Sequence, residues 1–178
     1  MELDSVTFQN NSLFYEELEL TYRKHGCGYF ILAPSGSGKT YYCQNQIQLD
    51  WLDGDDLWRK SGATPKGSWW TESLSIINRI EKRCDIITEE AKENGFWVMG
   101  SSSYWLKPDA VVIPNWDTHL RFIAHRQDNH YDGGATMDTL DRVISHRRII
   151  ADWHFKGGVP LFLNIEEAVT ELSTRRTH

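Results

Sequence analysis

The chain has 178 residues, of which 40% are hydrophobic and 25% are charged, a composition typical of a globular domain large enough to form its own core. Its formal net charge of −6 argues against an extensive non-specific nucleic-acid surface, which needs many lysine and arginine contacts to phosphate. No apolar run is long enough to span a membrane, and the acidic start Met1–Asp4 is unlike a secretory signal. Three cysteines without paired or zinc-type spacing predict reduced thiols, and these features together predict a cytoplasmic protein.

The first half of the chain predicts an N-terminal extension followed by alternating strands and helices. Residues 1–26 are predicted to hold an irregular stretch, 1–12, and a helix, Phe14–Lys24, that Gly26 ends. The apolar run Tyr29–Leu32 predicts a buried strand. The next predicted elements are a helix, Thr40–Gln48, a strand, Leu49–Leu52, and a loop with helical fragments, 57–73.

The second half predicts three more strands and an α/β fold. Leu74–Asn94 is the clearest helix, because its apolar residues recur at three- and four-residue steps. Strands alternating with helices predict one domain over residues 1–178, built on a five-stranded parallel sheet with helices on both faces. A lid is predicted at about residues 120–142, with Asp128–Thr136 as its mobile part. The other predicted elements are strands Phe96–Met99, Ala110–Ile113 and Val159–Leu163 and helices His119–Gln127, Met137–Phe155 and Ile165–Leu172.

The stretch Gly28–Thr40 carries the most specific motif in the chain. A strand, the sequence Ala-Pro-Ser-Gly-Ser-Gly-Lys-Thr and a helix follow one another, as in a phosphate-binding loop, with Ala33 in place of the usual first glycine. Lys39 would reach the β- and γ-phosphates of a nucleotide, and the Thr40 hydroxyl would bind Mg²⁺. The alternative is a glycine-serine turn between two core elements. The residues predicted to hold the nucleotide are Ser35, Gly36, Ser37, Gly38, Lys39 and Thr40.

Carboxylates follow the second predicted strand, where they would lie close to the γ-phosphate. A hydroxyl acceptor must lose its proton to a base, whereas a phosphate acceptor needs cations around it. Asp53 or Asp55 is therefore a candidate base, and the other could organise the metal. Asp53 is the candidate ligand of the metal, and Asp55 is also a candidate for binding the acceptor. The alternative for both is helix capping or a turn after the strand.

Three further residues lie in the predicted acceptor region. Trp69 and Trp70 are candidates to stack on a ring such as a nucleobase, and packing in the core is the alternative for each. Because adjacent positions rarely face the same way, at most one of them is expected to stack. Arg59 is the candidate partner of an acceptor phosphate, if the acceptor carries one.

These motifs resemble the P-loop kinases of the nucleoside-monophosphate-kinase-like fold, roughly from Gly28 to Leu172. The sequence Asp53-Gly-Asp55 looks like that of hydroxyl-acceptor kinases such as gluconate kinase and adenosine phosphosulfate kinase. With the tryptophan pair it also resembles phage kinases that phosphorylate 5-hydroxymethyluracil within DNA. Ala110–Arg126 is similar to the fourth strand and the lid helix, which implies that Arg121 and Arg126 face the phosphates or the adenine. Val159–Val169 is similar to the last strand and helix.

The resemblance implies ATP and Mg²⁺ as cofactors and the transfer of the γ-phosphoryl group to a hydroxyl of a small molecule or a nucleic acid. The acceptor would be nucleoside-like, or a hydroxymethylated pyrimidine in DNA. A (deoxy)nucleoside monophosphate kinase is one alternative. A nucleotide-binding protein without kinase activity is the other, since no acidic residue directly follows Phe96–Met99. The predicted catalytic residues are Lys39, Asp53, Asp55 and Arg126. The histidines are expected at surface or capping positions, and Arg147-Arg148 on a solvated, ion-paired helix face.

Overall fold

Five parallel strands form the sheet of the described residues, 11–129 and 134–175, of a computed structural model. The fold is therefore α/β, and the predicted five-stranded parallel sheet is confirmed. The strands are β1 (Tyr29–Leu32), β2 (Trp51–Asp53), β3 (Trp97–Gly100), β4 (Ala110–Val112) and β5 (Leu161–Phe162). Their order in the sheet is β2-β3-β1-β4-β5, so that β1 lies at the centre and β3 separates it from β2.

Helices cover both faces of this sheet. Side chains alternate along β1, with Phe30 and Leu32 in the core on one face and Ile31 in the core on the other. The helices are α1 (Asn11–Thr21), α2 (Lys39–Asn45), α3 (Gly54–Ser61), α4 (Leu74–Glu93), α5 (Trp116–Asp128), α6 (Leu140–Phe155) and α7 (Ile165–Arg175), with short 3-10 turns at Trp69–Thr71 and Met137–Thr139. The first core is completed by α1, α3, α4 and α6, and the second by α2 and α7. None of the helices in the described part of the chain has both the length and the apolar character needed to cross a membrane.

Helix α3 is the main difference from the predicted elements, which placed the end of a strand and a loop here. It forms because the Asp53 side chain accepts the main-chain N–H of Asp55 at 3.0 Å, which caps the first turn. Gly62, with φ of 79°, ends the helix, and Leu57 and Trp58 bury its inner face. Strand β2 accordingly begins two residues later than predicted, at Trp51, and ends at Asp53.

The other predicted elements are present with bounds that differ by a few residues. Helix α1 begins at Asn11, inside the stretch predicted to be irregular, and the predicted helix Met137–Phe155 is a 3-10 turn followed by α6. Residues 1–10 lie outside the described residues. So do residues 130–133, which belong to the predicted mobile segment Asp128–Thr136.

The chain passes from β3 to β4 through residues 101–109, a short connection for two parallel strands, which a helix usually joins. A carboxylate on α4 holds this connection. Asp85 is 1% exposed and accepts the consecutive N–H groups of Tyr104, Trp105 and Leu106 at 2.9, 2.6 and 3.1 Å. Burial raises the pKa of Asp85, although these three bonds act in the opposite direction.

The strand order identifies one crevice at the carboxyl edge of the sheet. After β1 the chain continues to β2 on one side of the sheet, and after β4 it continues to β5 on the other side. The segments that leave β1 and β4 therefore diverge, and such a crevice is where open α/β sheets bind their ligands. Residues 33–38, between β1 and α2, border it and are called the 33–38 loop below.

Candidate functional site

The 33–38 loop has a tightly specified backbone. Gly36 and Gly38 have φ of 80° and 94°, a conformation that residues with a side chain rarely adopt. A Cβ atom on Gly36 would lie 2.9 Å from Cγ1 of Ile123, so packing against α5 also requires glycine there. The Ser37 hydroxyl donates to the carbonyl oxygen of Pro34 at 2.6 Å. The loop thus bends sharply and packs closely against its surroundings.

Lys39 folds back over this loop. Its side chain is almost fully enclosed, with the residue 6% exposed, and Nζ donates to the carbonyl oxygens of Ala33 and Pro34 at 2.9 and 2.8 Å. Burial lowers the pKa of Lys39 to about 8, while Asp55 and Asp53 act in the opposite direction. A buried ammonium group therefore lies inside the loop, with neutral carbonyl groups as its hydrogen-bond acceptors.

Asp53 and Thr40, the predicted ligands of the metal, lie close together. Asp53 ends β2 and is 8% exposed, and its carboxylate accepts the N–H of Asp55 at 3.0 Å. Burial and then the nearby charge of Asp55 raise the pKa of Asp53, which the Thr40 side chain partly offsets. Asp53 thus caps a helix, as the alternative interpretation had it, and also lies close enough to Lys39 to raise the pKa of that lysine.

The other candidate residues on the acceptor side lie in two places, on α3 and in the 3-10 turn Trp69–Thr71. Asp55 is exposed in the first turn of α3, close enough to Lys39 to raise its pKa. Arg59 is 63% exposed and is paired with Asp56 on the same helix. Trp69 is partly buried against the core, and Trp70 is 39% exposed, with the two ring centroids 6.0 Å apart and edge to face. The tryptophans therefore face different ways, as predicted.

Arg126, the predicted lid arginine, lies beside the 33–38 loop. Its Nη1 atom donates to Oγ of Ser35 at 3.2 Å, and the N–H of Ala135 donates to the same oxygen at 3.0 Å. A Cβ atom on Gly134 would lie 2.3 Å from this oxygen, so the chain after the 130–133 gap also packs tightly on the loop. A single serine hydroxyl thus joins the loop, α5 and the segment that precedes α6.

Arg121, the other predicted nucleotide-binding arginine, lies on a different face of α5. It is exposed, and its Nη2 atom donates to Oγ1 of Thr118 at 3.3 Å. It is five residues from Arg126, which separates the two by about 140° around the helix. The structure thus brings Arg126 but not Arg121 to the 33–38 loop.

His119 is a residue of this site that the sequence analysis missed. It was expected at a surface or capping position but is 0% exposed, and its Nε2 atom lies 2.9 Å from the carbonyl oxygen of Ser35. Arg147 donates to Nδ1 of His119 at 2.9 Å and to the carbonyl oxygen of Pro114 at 2.8 Å. The expectation of a solvated face is therefore wrong for Arg147. The one sequence feature that could have placed His119 here is its spacing, because His119, Ile123 and Arg126 share one helix face.

Two side chains from other helices hold the turn that follows β3. Glu81 on α4 accepts the Ser102 hydroxyl at 2.7 Å, and burial raises the pKa of Glu81. His146 on α6 lies 2.6 Å from the carbonyl oxygen of Ser101, and burial lowers its pKa to about 4. A carboxylate thus does reach the end of the third strand, but from a helix rather than from the strand itself. Sequence spacing gave no indication of either contact.

The Thr40 hydroxyl and the Asp53 carboxylate lie close together and are oxygen groups that could hold a metal ion. Within the described ranges, no three His, Cys, Asp or Glu side chains converge into a self-contained metal site. A scan against protein-family models finds no match, and a search of curated proteins finds no significant relative. The functional assignment therefore rests on the geometry of this site.

Proposed function

We propose that this protein is an ATP-dependent kinase that transfers the γ-phosphoryl group to an acceptor hydroxyl. One observation carries the proposal: a buried lysine ammonium lies inside a glycine-bent loop, with the Thr40 hydroxyl at the next position of the chain and the Asp53 carboxylate near both residues. Together, Lys39, Thr40 and Asp53 supply the cation and the oxygen ligands that phosphoryl transfer from a nucleotide–magnesium complex requires.

The state of Lys39 supports the binding of an anion. Burial of an ammonium group is unfavourable unless it is paired with a charge, and the lowered pKa of Lys39 reflects this cost. Phosphate oxygens are stronger acceptors for an ammonium than the Ala33 and Pro34 carbonyl oxygens that now bind it. Moving Nζ from these carbonyls onto a triphosphate would therefore be favourable.

Thr40 and Asp53 fit a magnesium ion. Mg²⁺ prefers hard oxygen ligands and usually takes only one or two carboxylates from the protein, with phosphate oxygens and water completing its octahedron. When bound there, the ion would offset the negative charge of the β- and γ-phosphates. Asp53 is suited to this role because it is fixed by its bond to the N–H of Asp55 and lies close to the Thr40 side chain.

Asp55 is the better candidate for the base, because Asp53 is engaged and Asp55 is exposed. In the proposed step the acceptor oxygen forms a bond to the γ-phosphorus, and the bond from that phosphorus to the β,γ-bridging oxygen breaks. ADP leaves with the electron pair, and the hydroxyl proton passes to Asp55. Arg126, beside the loop, stabilises the charge that develops on the transferred group.

A hydroxyl acceptor is favoured over a phosphate acceptor by the surroundings of α3. Arg59, the candidate partner of an acceptor phosphate, is exposed and paired with Asp56. Trp70, with 39% of its surface exposed, is available to stack on a ring, whereas Trp69 packs against the core. These features support a nucleoside-like acceptor, or a hydroxymethylated pyrimidine within DNA.

The test is transfer of labelled γ-phosphate from ATP with Mg²⁺ to four groups of acceptors: nucleosides, nucleoside monophosphates, sugars, and DNA containing hydroxymethylated pyrimidines. We expect a phosphate ester on a hydroxyl of one group and no transfer by Lys39→Met. Transfer to monophosphates alone would support a nucleoside monophosphate kinase instead. ATP binding without transfer to any acceptor would support a nucleotide-binding protein that lacks kinase activity.

A further inference from the structure

His119 connects a charged helix to the 33–38 loop through its two ring nitrogens. Arg147 on α6 donates to Nδ1 at 2.9 Å, and Nε2 lies 2.9 Å from the carbonyl oxygen of Ser35. A guanidinium group has donors only, so Nδ1 must act as an acceptor and cannot carry a proton. The proton of the neutral ring is therefore on Nε2, which donates to the Ser35 carbonyl oxygen. One tautomer is consistent with both contacts.

The surroundings of His119 favour this neutral form. The residue is 0% exposed, and burial lowers its pKa. The charged groups of the neighbouring elements, Arg147 on α6, Lys39 on α2 and Arg126 on α5, lower it further, while the bond to Ser35 acts in the opposite direction. Arg147 is itself fixed by the carbonyl oxygen of Pro114 and lies over the ring of Trp116 at 5.4 Å.

The bond to Ser35 fixes the orientation of the peptide group between Ser35 and Gly36. In a planar trans peptide the C=O and the following N–H point in opposite directions. Holding the Ser35 carbonyl toward His119 therefore points the Gly36 N–H away from it. Gly36, with φ of 80°, lacks the side chain that would resist rotation of this peptide, so its orientation depends on the contact made by the carbonyl.

We infer that His119 is a positioning residue for the phosphate-binding loop and that Arg147 maintains its active tautomer. The inference rests on the proposed triphosphate site, because the Gly36 N–H is one of the donors offered to the anion. His119 does not contact the reacting atoms. Its effect is to hold one loop amide in the orientation that binding requires, so that no part of the binding free energy is used to rotate it.

The test compares His119→Leu with His119→Gln. The side-chain amide nitrogen of glutamine is as far along the side chain as Nε2 and donates a proton, whereas leucine has a similar size and donates none. Arg147→Met removes the tautomer control, and Arg148→Met, at an exposed position on the same helix, is the matched control. Affinity is measured by calorimetry with inorganic triphosphate and Mg²⁺. We expect about tenfold weaker triphosphate binding for His119→Leu and Arg147→Met. Binding should be near normal for His119→Gln and Arg148→Met.

A second readout does not depend on ligand. Long-range proton–nitrogen NMR of the ligand-free protein should show His119 protonated on Nε2, and one resonance for the Gly36 amide in the wild type and in His119→Gln. That resonance should broaden or double in His119→Leu. An Nδ1-protonated ring, or equal affinities of the leucine and glutamine variants with an unchanged Gly36 resonance, would overturn the inference. If the wild type does not bind triphosphate, the proposed function fails, and the NMR readout alone then decides whether His119 fixes the loop.

Discussion

The Nζ atom of Lys39 lies 2.8 Å from the carbonyl oxygen of Pro34, within the loop that is proposed to hold phosphate. The lysine thus bonds to main-chain carbonyl groups of its own loop. Because these acceptors are neutral, they compensate only part of the cost of burying the charge. The buried charge therefore remains unfavourable, and a bound anion would neutralise it. Its effect on the stability of the protein can be measured without ligand.

Lys39 should make the stability of the protein depend on pH in the alkaline range. Its pKa falls from 10.5 to about 8 on folding, so the folded state binds fewer protons than the unfolded state between these values. At pH 7 the buried charge lowers the free energy of unfolding by about 3 kcal/mol, and this loss is recovered as the pH rises from about 8 to about 10.5. Lys39→Met lacks the group and should show no such recovery. Urea unfolding of both proteins at pH 7, 9 and 10.5 measures the difference, and a difference that stays constant with pH would contradict the prediction.

Asp55→Asn should slow phosphoryl transfer while ATP binding remains normal. Asparagine keeps the shape of aspartate but cannot take a proton, and a general base contributes typically about 10²- to 10⁴-fold to the rate. We therefore expect turnover at least about a hundredfold lower, with the affinity for ATP and the melting temperature close to those of the wild type. Asp56→Asn, at the next position, is the matched control and should keep its turnover. Full activity of Asp55→Asn would move the base elsewhere and strengthen the case for a phosphate acceptor.

Asp53→Asn should instead change the requirement for magnesium. Asparagine caps a helix about as well as aspartate, so α3 should remain stable, whereas the loss of a charged oxygen ligand weakens the binding of Mg²⁺. The Mg²⁺ concentration for half-maximal transfer should rise by about tenfold or more. Asp53→Ala, which also removes the cap, should lose about 1 kcal/mol of stability in addition. A normal magnesium titration of Asp53→Asn would show that Asp53 serves α3 alone.

Arg126→Ala should lower turnover, because it removes the positive charge that is proposed to stabilise the transferred group. The loss of one such preorganised donor typically lowers the rate about 10²- to 10³-fold. Arg121→Ala, on another face of the same helix, provides the comparison and should leave turnover unchanged. Steady-state kinetics of the two variants at saturating ATP would measure this. The opposite ranking would support the sequence-based placement of Arg121 at the nucleotide.

Much of the arrangement around β1 followed from the sequence. Parallel strands direct their carboxyl ends to one edge of the sheet, so Asp53 at the end of β2 was expected at the same edge as Lys39, which follows β1. Helix α3 was missed because Asp53-Gly54-Asp55 is also a common turn sequence. What decided between turn and helix was the burial of Leu57 and Trp58, which depends on the whole fold.

The contacts of His119 and Glu81 could not have been predicted in the same way. His119 meets Ser35 across 84 residues of chain, and Glu81 meets Ser102 across 21, with no local pattern to link either pair. A polar side chain can be buried when a hydrogen-bond partner lies beside it, and that partner is known only when the helices have been placed. The interpretation of Arg147 as a solvated residue failed for the same reason, since its acceptors are on α5 and in the segment before it.

The central position of β1 has a consequence for how the chain acquires its site. The strand is the first of the five to be synthesised, yet Tyr29 pairs with Trp97 and Ile31 with Ala110, both far downstream. Contacts between such distant residues form slowly, since a long segment must be closed before they give any stability. The 33–38 loop extends from β1 and packs against α5, so a nascent chain on the ribosome holds the complete motif long before it holds the walls of the binding site. A ligand that binds this loop can therefore stabilise the finished domain but has little to bind during its synthesis.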